Sequence, residues 1–296
     1  MTRPGHTHFV GIGGAGMSSL AAVLLDLGQR VSGCDRQPGP STEALERRGV
    51  MVYTGHSPEH LRGVTRVVVT GPAASSDEVQ RARGSGLSVL LRAELLGQLM
   101  AERRGLAIAG THGKTTTTSL AAAMLLAGDL DPTVLIGGVP AGWTSGGRAG
   151  RGEWLVAEAD EYARSFHYLH PEVAIVTGVE LDHPDIYPDL GAVVEAFEVF
   201  LRGMRPGGKV LVAASSSIAV ELASRVAVAT DLQVETYGTG PGADWRAVVR
   251  GAGESGTRFD VEHASGPLTD LRLRMPGRHN VENATVAVAA ARTVGV

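Results

Sequence analysis

A single cysteine, Cys34, stands in a chain of 296 residues, which excludes an internal disulfide and any metal site built on several thiolates. It falls in the short apolar stretch RVSGCD, where strand character makes it a packed, inert thiol rather than a nucleophile. Long hydrophobic runs are also lacking, and none approaches the roughly 20 residues needed to span a bilayer. A charged leader followed by an apolar segment is absent as well, so the chain reads as cytoplasmic. Positive charge is not in excess, with 27 Lys and Arg against 31 Asp and Glu. Nucleic-acid and acidic-membrane surfaces demand clustered Lys and Arg, so neither partner is expected. Internal repeats and long low-complexity segments are missing too.

What is present is an ordinary globular composition, 43% hydrophobic and 20% charged. The length exceeds that of a usual single domain and points to two, divided near Arg103 and Arg104. Over the first hundred residues strand and helix signals alternate, as in a parallel sheet with helices on both faces. Its opening, HFVGIGGAGMSSLAAVLLDLGQRVSGCD, carries a short apolar strand, then Gly11-x-Gly13-x-x-Gly16, an apolar helix, and Asp35 about twenty positions on. Gly11, Gly13, Gly14, Ala15 and Gly16 thus describe a tight turn aimed at a diphosphate, with Asp35 approaching the far end of the ligand. NAD satisfies that fingerprint, but the physics of the turn does not name the nucleotide.

A second glycine loop, GTHGKTTTT at residues 110 to 118, follows an apolar strand and opens a helix. Gly113, Lys114 and Thr115 form the core of a phosphate-binding loop, with Lys114 directed at the β and γ phosphates and the Thr115 hydroxyl at Mg²⁺. The general pattern asks for glycine where Ile108 stands, and here the first glycine arrives late, at Gly110. Four consecutive threonines oppose helix propensity, as expected of a functional segment. Carboxylates gather where the next strands end: Glu158, Asp160 and Glu161, then Glu180 and Asp182 beside His183. Such strand ends face the crevice where open α/β sheets bind ligands. Glu158 and His183 are the expected metal ligands, while Asp160, Glu161 and Glu180 read as caps or solvated loop groups. Residues 142 to 152, rich in glycine, read as a flexible loop with no core role. The final stretch reads as a turn and a helix.

Four motifs in order, AGTHGKTTTT with its late glycine, EADE followed by SF, VELDHPDIY and GRHNVENATVAVAA, resemble the Mur ligase family, the ATP-dependent amide-forming enzymes of peptidoglycan precursor synthesis. HFVGIGGAGMSSLA and LRAELLGQLM add to the likeness. The resemblance implies a Rossmann-like parallel-sheet domain over residues 1–103 that binds a UDP-sugar, and a P-loop ATP-binding α/β domain over 104–296. A third, amino-acid-binding domain of the family has no counterpart here. It further implies that Gly110, Thr111, His112, Gly113, Lys114, Thr115 and Thr116 hold the ATP phosphates, and that His279, Asn280 and Asn283 approach adenine. Asn280 and Asn283 also read as helix-capping groups. Thr115, Glu158 and His183 match metal ligands, Lys114, Glu158 and His183 catalytic positions, and Gly11 to Gly16 with Asp35 the UDP site. The implied substrates are UDP-N-acetylmuramate, L-alanine and ATP with Mg²⁺. Two departures stand out: Thr177-Gly178 where the family reads Thr-Asn, and Tyr162 where a small polar residue is common. Two other readings remain open, a nucleotide- or UDP-sugar-binding fragment without catalysis and an NAD-dependent oxidoreductase.

Overall fold

The computed structural model describes residues 5–253 and 255–296. Along the chain run β1 (His6–Val10), α1 (Ala15–Asp26), β2 (Arg30–Asp35), α2 (Pro40–Arg47), β3 (Met51–Thr54), β4 (Arg66–Val69), α3 (Asp77–Gly84), β5 (Ser88–Leu91) and α4 (Arg92–Ala101). Next come β6 (Arg104–Ala109), α5 (Lys114–Ala127), β7 (Thr133–Leu135), β8 (Gly147–Arg148), β9 (Trp154–Glu158), β10 (Val173–Val176) and α6 (Leu190–Arg202). The remainder is β11 (Lys209–Ala213), α7 (Ser217–Val228), β12 (Gln233–Gly238), β13 (Trp245–Gly253), β14 (Gly256–Glu262), β15 (Leu268–Leu273) and α8 (Arg278–Val294). These elements fall into two compact units. The first holds the residues up to Leu99 together with Thr133–Gly152, and the second holds Met100–Pro132 with Glu153–Val296.

In the first unit the strand order is β3-β2-β1-β4-β5, with every pairing parallel. The central strand β1 is buried along its whole length, as a strand covered on both faces must be. Leu20, Ala21, Val23 and Leu24 of α1 are fully buried. The glycine-rich segment 142–152 departs from the flexible loop expected of it. Its β8 pairs antiparallel with β7, and Gly146 and Gly147 are buried. A Cβ on Gly147 would lie 1.9 Å from the Ser19 carbonyl oxygen. The glycine there serves close backbone approach to α1, which composition alone does not distinguish from flexibility.

In the second unit the strands follow the order β15-β14-β13-β12-β11-β10-β6-β9. The pairings from β9 to β13 are parallel, and β13, β14 and β15 continue as an antiparallel meander. In β14, Thr257, Phe259 and Val261 face inward between more exposed neighbours, the period-two pattern of a strand covered on one face. Leu106 and Ile108 of β6 share the core with Ala121 and Leu125 of α5 and with Val281, Ala284 and Ala287 of α8. Among the described residues, no helix is long and apolar enough to cross a membrane.

Arg104 anchors the start of β6. Its guanidinium stacks 4.3 Å from the Trp154 ring centroid and its Nε donates to Glu172 Oε2 at 2.9 Å. Hydrogen bonding to Arg104 holds the Glu172 carboxyl below its ordinary range. A depressed folded pKa gives stability that is present above the unfolded value, about pH 4.3 for Glu, and is lost as pH falls through the folded one. Glu172→Gln is expected to lower stability by up to about 1 kcal/mol at pH 7, since the pair is partly exposed. The urea midpoints of the two proteins should converge as pH falls below the folded pKa of Glu172, and a gap that persists there contradicts the assignment.

Candidate functional site

Each unit carries a glycine loop at the C-terminal end of its central parallel strands. In the first, Gly11 turns with φ +86° and its N–H donates to the Cys34 carbonyl at 2.8 Å. The Gly13 N–H donates to Asp35 Oδ2 at 2.8 Å, and a Cβ on Gly13 would meet that same oxygen at 2.8 Å. Asp35 Oδ1 accepts from the Gln37 N–H at 3.0 Å. Asp35 therefore fastens the end of β2 to the loop. Gly14 is the N-cap of α1, so the amides of Ala15 and Gly16 belong to the first turn, where helix N–H groups lack intrahelical partners. Sequence reasoning missed Arg92, whose Nη1 would lie 3.0 Å from a Cβ on Gly16. A cation beside a helix N-terminus is an arrangement that favours an anion. A cleft of about 350 Å³ has Ala15, Ser18, Ser41, Arg47 and Trp143 in its wall.

The second loop joins β6 to α5. Gly110 adopts φ +129°, and a Cβ there would lie 2.1 Å from Thr177 Oγ1. Gly113 is the left-handed N-cap of α5, and its missing Cβ would stand 2.9 Å from Asn283 Oδ1. The loop is thus gripped from β10 on one side and α8 on the other. The Thr111 N–H donates to the Gly178 carbonyl at 3.2 Å, and Thr111 Oγ1 accepts from the Glu180 N–H at 3.0 Å. His112 is exposed, and the Thr177 hydroxyl donates to its carbonyl. Thr115 is exposed and Thr116 half-buried on the first turn of α5. The Thr118 hydroxyl donates back to the Lys114 carbonyl at 2.8 Å, one way a threonine is accommodated inside a helix.

Lys114 Nζ donates to the Gly110 carbonyl at 2.6 Å and to both carboxylate oxygens of Glu161 at 2.8 Å. Glu161, read from sequence as a cap or solvated group, has a side chain only 4% exposed. An ammonium folded back into a loop needs a buried counter-charge, and the chain supplies it three residues past the end of β9. The Tyr187 hydroxyl pins this turn by donating to the Glu161 carbonyl at 2.6 Å; burial, the largest influence, pushes its pKa up to about 12. His183 Nε2 lies 3.5 Å from Glu161 Oε1 and 3.8 Å from Asp182 Oδ2, with Tyr162 edge-on to its ring at 5.2 Å. One ligand atom from each of Glu161, Asp182 and His183 fits within 4.8 Å of the others. His183, Ala163 and Arg164 hold φ near +55°, +50° and +57°, the sparsely allowed backbone that collects at functional sites.

Glu158 is half-buried at the end of β9, in register with Ile108 of β6, and is not a member of the Glu161, Asp182 and His183 group. Asp160 Oδ1 accepts from the Tyr162 N–H at 3.1 Å in a local turn, and Glu180 is exposed. Of the three α8 residues singled out by sequence, Asn283 alone packs on the Gly113 turn. Asn280 Nδ2 donates to the Pro276 carbonyl at 2.6 Å, which ties the turn before α8 and does not cap the helix, and His279 is exposed. Gly178 lies beside the loop, and a Cβ there would meet nothing within 4 Å. Gly178→Asn is therefore expected to leave stability unchanged and to tighten MgATP binding up to about tenfold, the worth of one new hydrogen bond. Calorimetric titration checks this, and a loss of affinity would contradict it.

Two parallel-sheet units each end a buried strand in a glycine loop that opens a helix, a turn of the kind that suits a phosphate group. Residues 6–104 match the Mur ligase family, catalytic domain, and residues 108–291 match the Mur ligase middle domain. The chain belongs to the Mur ligase family. It is 40% identical over 299 residues to the UDP-N-acetylmuramate--L-alanine ligase of Nitrobacter hamburgensis, covering 99% of this chain and 63% of that protein. The same identity over 298 residues and the same coverages hold for the ligase of that name from Brucella ovis. Among solved structures, UDP-N-acetylmuramate:L-alanyl-gamma-D-glutamyl-meso-diaminopimelate ligase from Neisseria meningitides superposes with a TM-score of 0.88 at 30% identity, over 99% of this chain and 94% of that one. UDP-N-acetylmuramate-alanine ligase from Thermotoga maritima does so with 0.83 at 28%, over 98% and 65%. Family membership removes the nicotinamide reading of the first loop.

Proposed function

We propose that the chain serves an ATP-dependent ligation of L-alanine to the lactyl carboxylate of UDP-N-acetylmuramate, in peptidoglycan precursor synthesis. The carrying observation is Lys114, held in a phosphate-type loop against buried Glu161, in a chain that keeps a separate glycine loop beside Arg92. Residues 1–103 are assigned the UDP-sugar and residues 104–296 the ATP. The Gly11 to Gly16 turn, the first amides of α1 and Arg92 receive the diphosphate; Asp35 keeps the turn in shape. Reliance on ATP and a UDP-activated sugar suits the cytoplasm.

A carboxylate is a poor acyl donor because oxide would have to leave. Its oxygen therefore attacks the γ-phosphorus, the bond to the ADP oxygen breaks, and an acyl phosphate forms. The amine of L-alanine then attacks the acyl carbon, phosphate departs with the former carboxylate oxygen, and the amine proton is lost. Phosphoryl transfer asks a site mainly for position and charge compensation. Backbone amides from Gly110 to Thr116 cradle the phosphates, and Lys114 balances charge on the transferring group, exchanging its contact with Glu161 for phosphoryl oxygens. Asn283 holds the Gly113 turn from behind. Carboxylates, a threonine hydroxyl and one imidazole suit Mg²⁺, and Thr115, Glu158 and His183 would hold it, with Glu161 and Asp182 adjoining. When bound, the ion neutralises phosphate charge.

Phosphate release in the presence of UDP-N-acetylmuramate, MgATP and L-alanine tests this. The chain extended with the amino-acid-binding domain of a family member is expected to turn over only when all three substrates are present. No turnover, or turnover indifferent to the UDP-sugar, overturns the proposal.

A further inference from the structure

Outside both loops, the first unit buries a second set of metal-binding side chains. His8 comes from β1, Cys34 from β2, His60 from the helical turn Pro58–Leu61 and Glu78 from the first turn of α3. The β1–β2 register pairs His8 with Ser32 and Val10 with Cys34, so His8 and Cys34 lie on one face of the sheet. One ligand atom from each of the four residues fits within 4.8 Å of all the others. Glu78 is completely buried; its Oε1 lies 3.0 Å from His8 Nε2 and 3.1 Å from His60 Nδ1, and its Oε2 accepts from Cys34 Sγ at 3.0 Å.

Four features separate this cluster from a self-contained hydrogen-bond network. His8 Nε2 is buried 3.0 Å from Glu78 Oε1, out of line for a well-directed hydrogen bond. Its other ring nitrogen is paired with the Ser32 hydroxyl at 2.8 Å, the kind of outer contact that aims an imidazole at a metal. The donor set also balances charge: two neutral imidazoles, one carboxylate and one thiolate carry two negative charges, equal to one divalent cation. A cleft of about 360 Å³ has His60 and Tyr53 in its wall, which gives an ion a path to the cluster.

We propose that His8, Cys34, His60 and Glu78 bind one Zn²⁺ in a closed, four-coordinate site that ties β1, β2 and α3 together. Zinc bonds of about 2.0–2.3 Å place tetrahedral donors roughly 3.3–3.8 Å apart, so small side-chain shifts complete the shell. Nitrogen, sulfur and oxygen donors in this number suit zinc better than Mg²⁺. Binding replaces the thiol proton, so Cys34–SH and Zn²⁺ give a Cys34–S–Zn bond and one released proton. His56, 3.2 Å from Cys34 Sγ through Nδ1, stands outside the shell and contacts the sulfur.

The test uses the full chain after treatment with a chelator. Titration with Co²⁺ is expected to release about one proton and to produce, at one equivalent, a near-ultraviolet sulfur-to-cobalt band that Zn²⁺ abolishes by displacing Co²⁺ without further proton release. The Glu161, Asp182 and His183 group contains no sulfur and cannot give that band. Cys34→Ser should lose the band, and His60→Gln should weaken Zn²⁺ binding roughly 100-fold. Zn²⁺ should raise the Tm of the unaltered protein and not that of Cys34→Ser. Absence of the band from the unaltered protein, or its persistence in Cys34→Ser, overturns the proposal whatever the variants' stability.

Discussion

Lys114→Ala is expected to abolish MgATP binding and also to unfold the protein at a clearly lower urea concentration. The first effect follows from losing the only charged side chain among Gly110 to Thr116. The second follows from Glu161, which is 4% exposed and whose two carboxylate oxygens each accept from Lys114 at 2.8 Å, closer than His183 at 3.5 Å. Removing one partner of a buried pair strands the other charge, at a cost of about 3–5 kcal/mol. The pair as a whole is worth much less, because both ions were desolvated to make it. Lys114→Met with Glu161→Gln keeps the volume and removes both charges, so it should recover most of the urea midpoint without recovering MgATP binding. A Lys114→Ala protein with an unchanged midpoint would show that Glu161 is not its counter-ion.

Gly110→Ala should be nearly as damaging, for a reason independent of charge. The position holds φ +129°, and the new methyl carbon would lie 2.1 Å from Thr177 Oγ1 and 2.8 Å from the Thr177 backbone nitrogen. Backbone strain of this kind costs about 1–3 kcal/mol, and overpacking a filled site costs about 1–3 kcal/mol more. Adding Thr177→Ala removes the hydroxyl but not the backbone contact, so the double variant should regain only part of the loss, a coupling expected of touching residues. Denaturant unfolding measures both steps. Loss of less than about 1 kcal/mol in Gly110→Ala would mean that the loop does not need this conformation.

The two glycine loops were legible in the sequence because each is local: an apolar strand, glycines at fixed spacing and a helix start lie within about twenty residues. Glu161 was not, because its burial depends on Lys114, 47 positions away. Arg92 escaped for the same reason, reaching Gly16 only through the pairing of strands β1, β4 and β5. In residues 142–152 glycine carried the opposite meaning from the one read, since Gly147 is small to let two backbones meet. Cys34 was correctly placed in a buried strand, but its neighbours His8, His60 and Glu78 come from three other segments, and no spacing rule joins them. Gly178 was visible as a departure, while the open space beside it was not.

The central claim is that the Gly11 to Gly16 turn takes the UDP-sugar and the Gly110 to Thr116 loop takes ATP. Calorimetric titration of both ligands into two variants tests it directly. Arg92→Glu reverses the charge beside Gly16 and should weaken UDP-N-acetylmuramate binding at least about tenfold, the effect of roughly 1.4 kcal/mol, while leaving MgATP binding unchanged. Lys114→Met with Glu161→Gln should do the reverse. If either variant lost both ligands together while still folded, or if MgATP displaced the UDP-sugar from the unaltered protein, the two-site account would be contradicted.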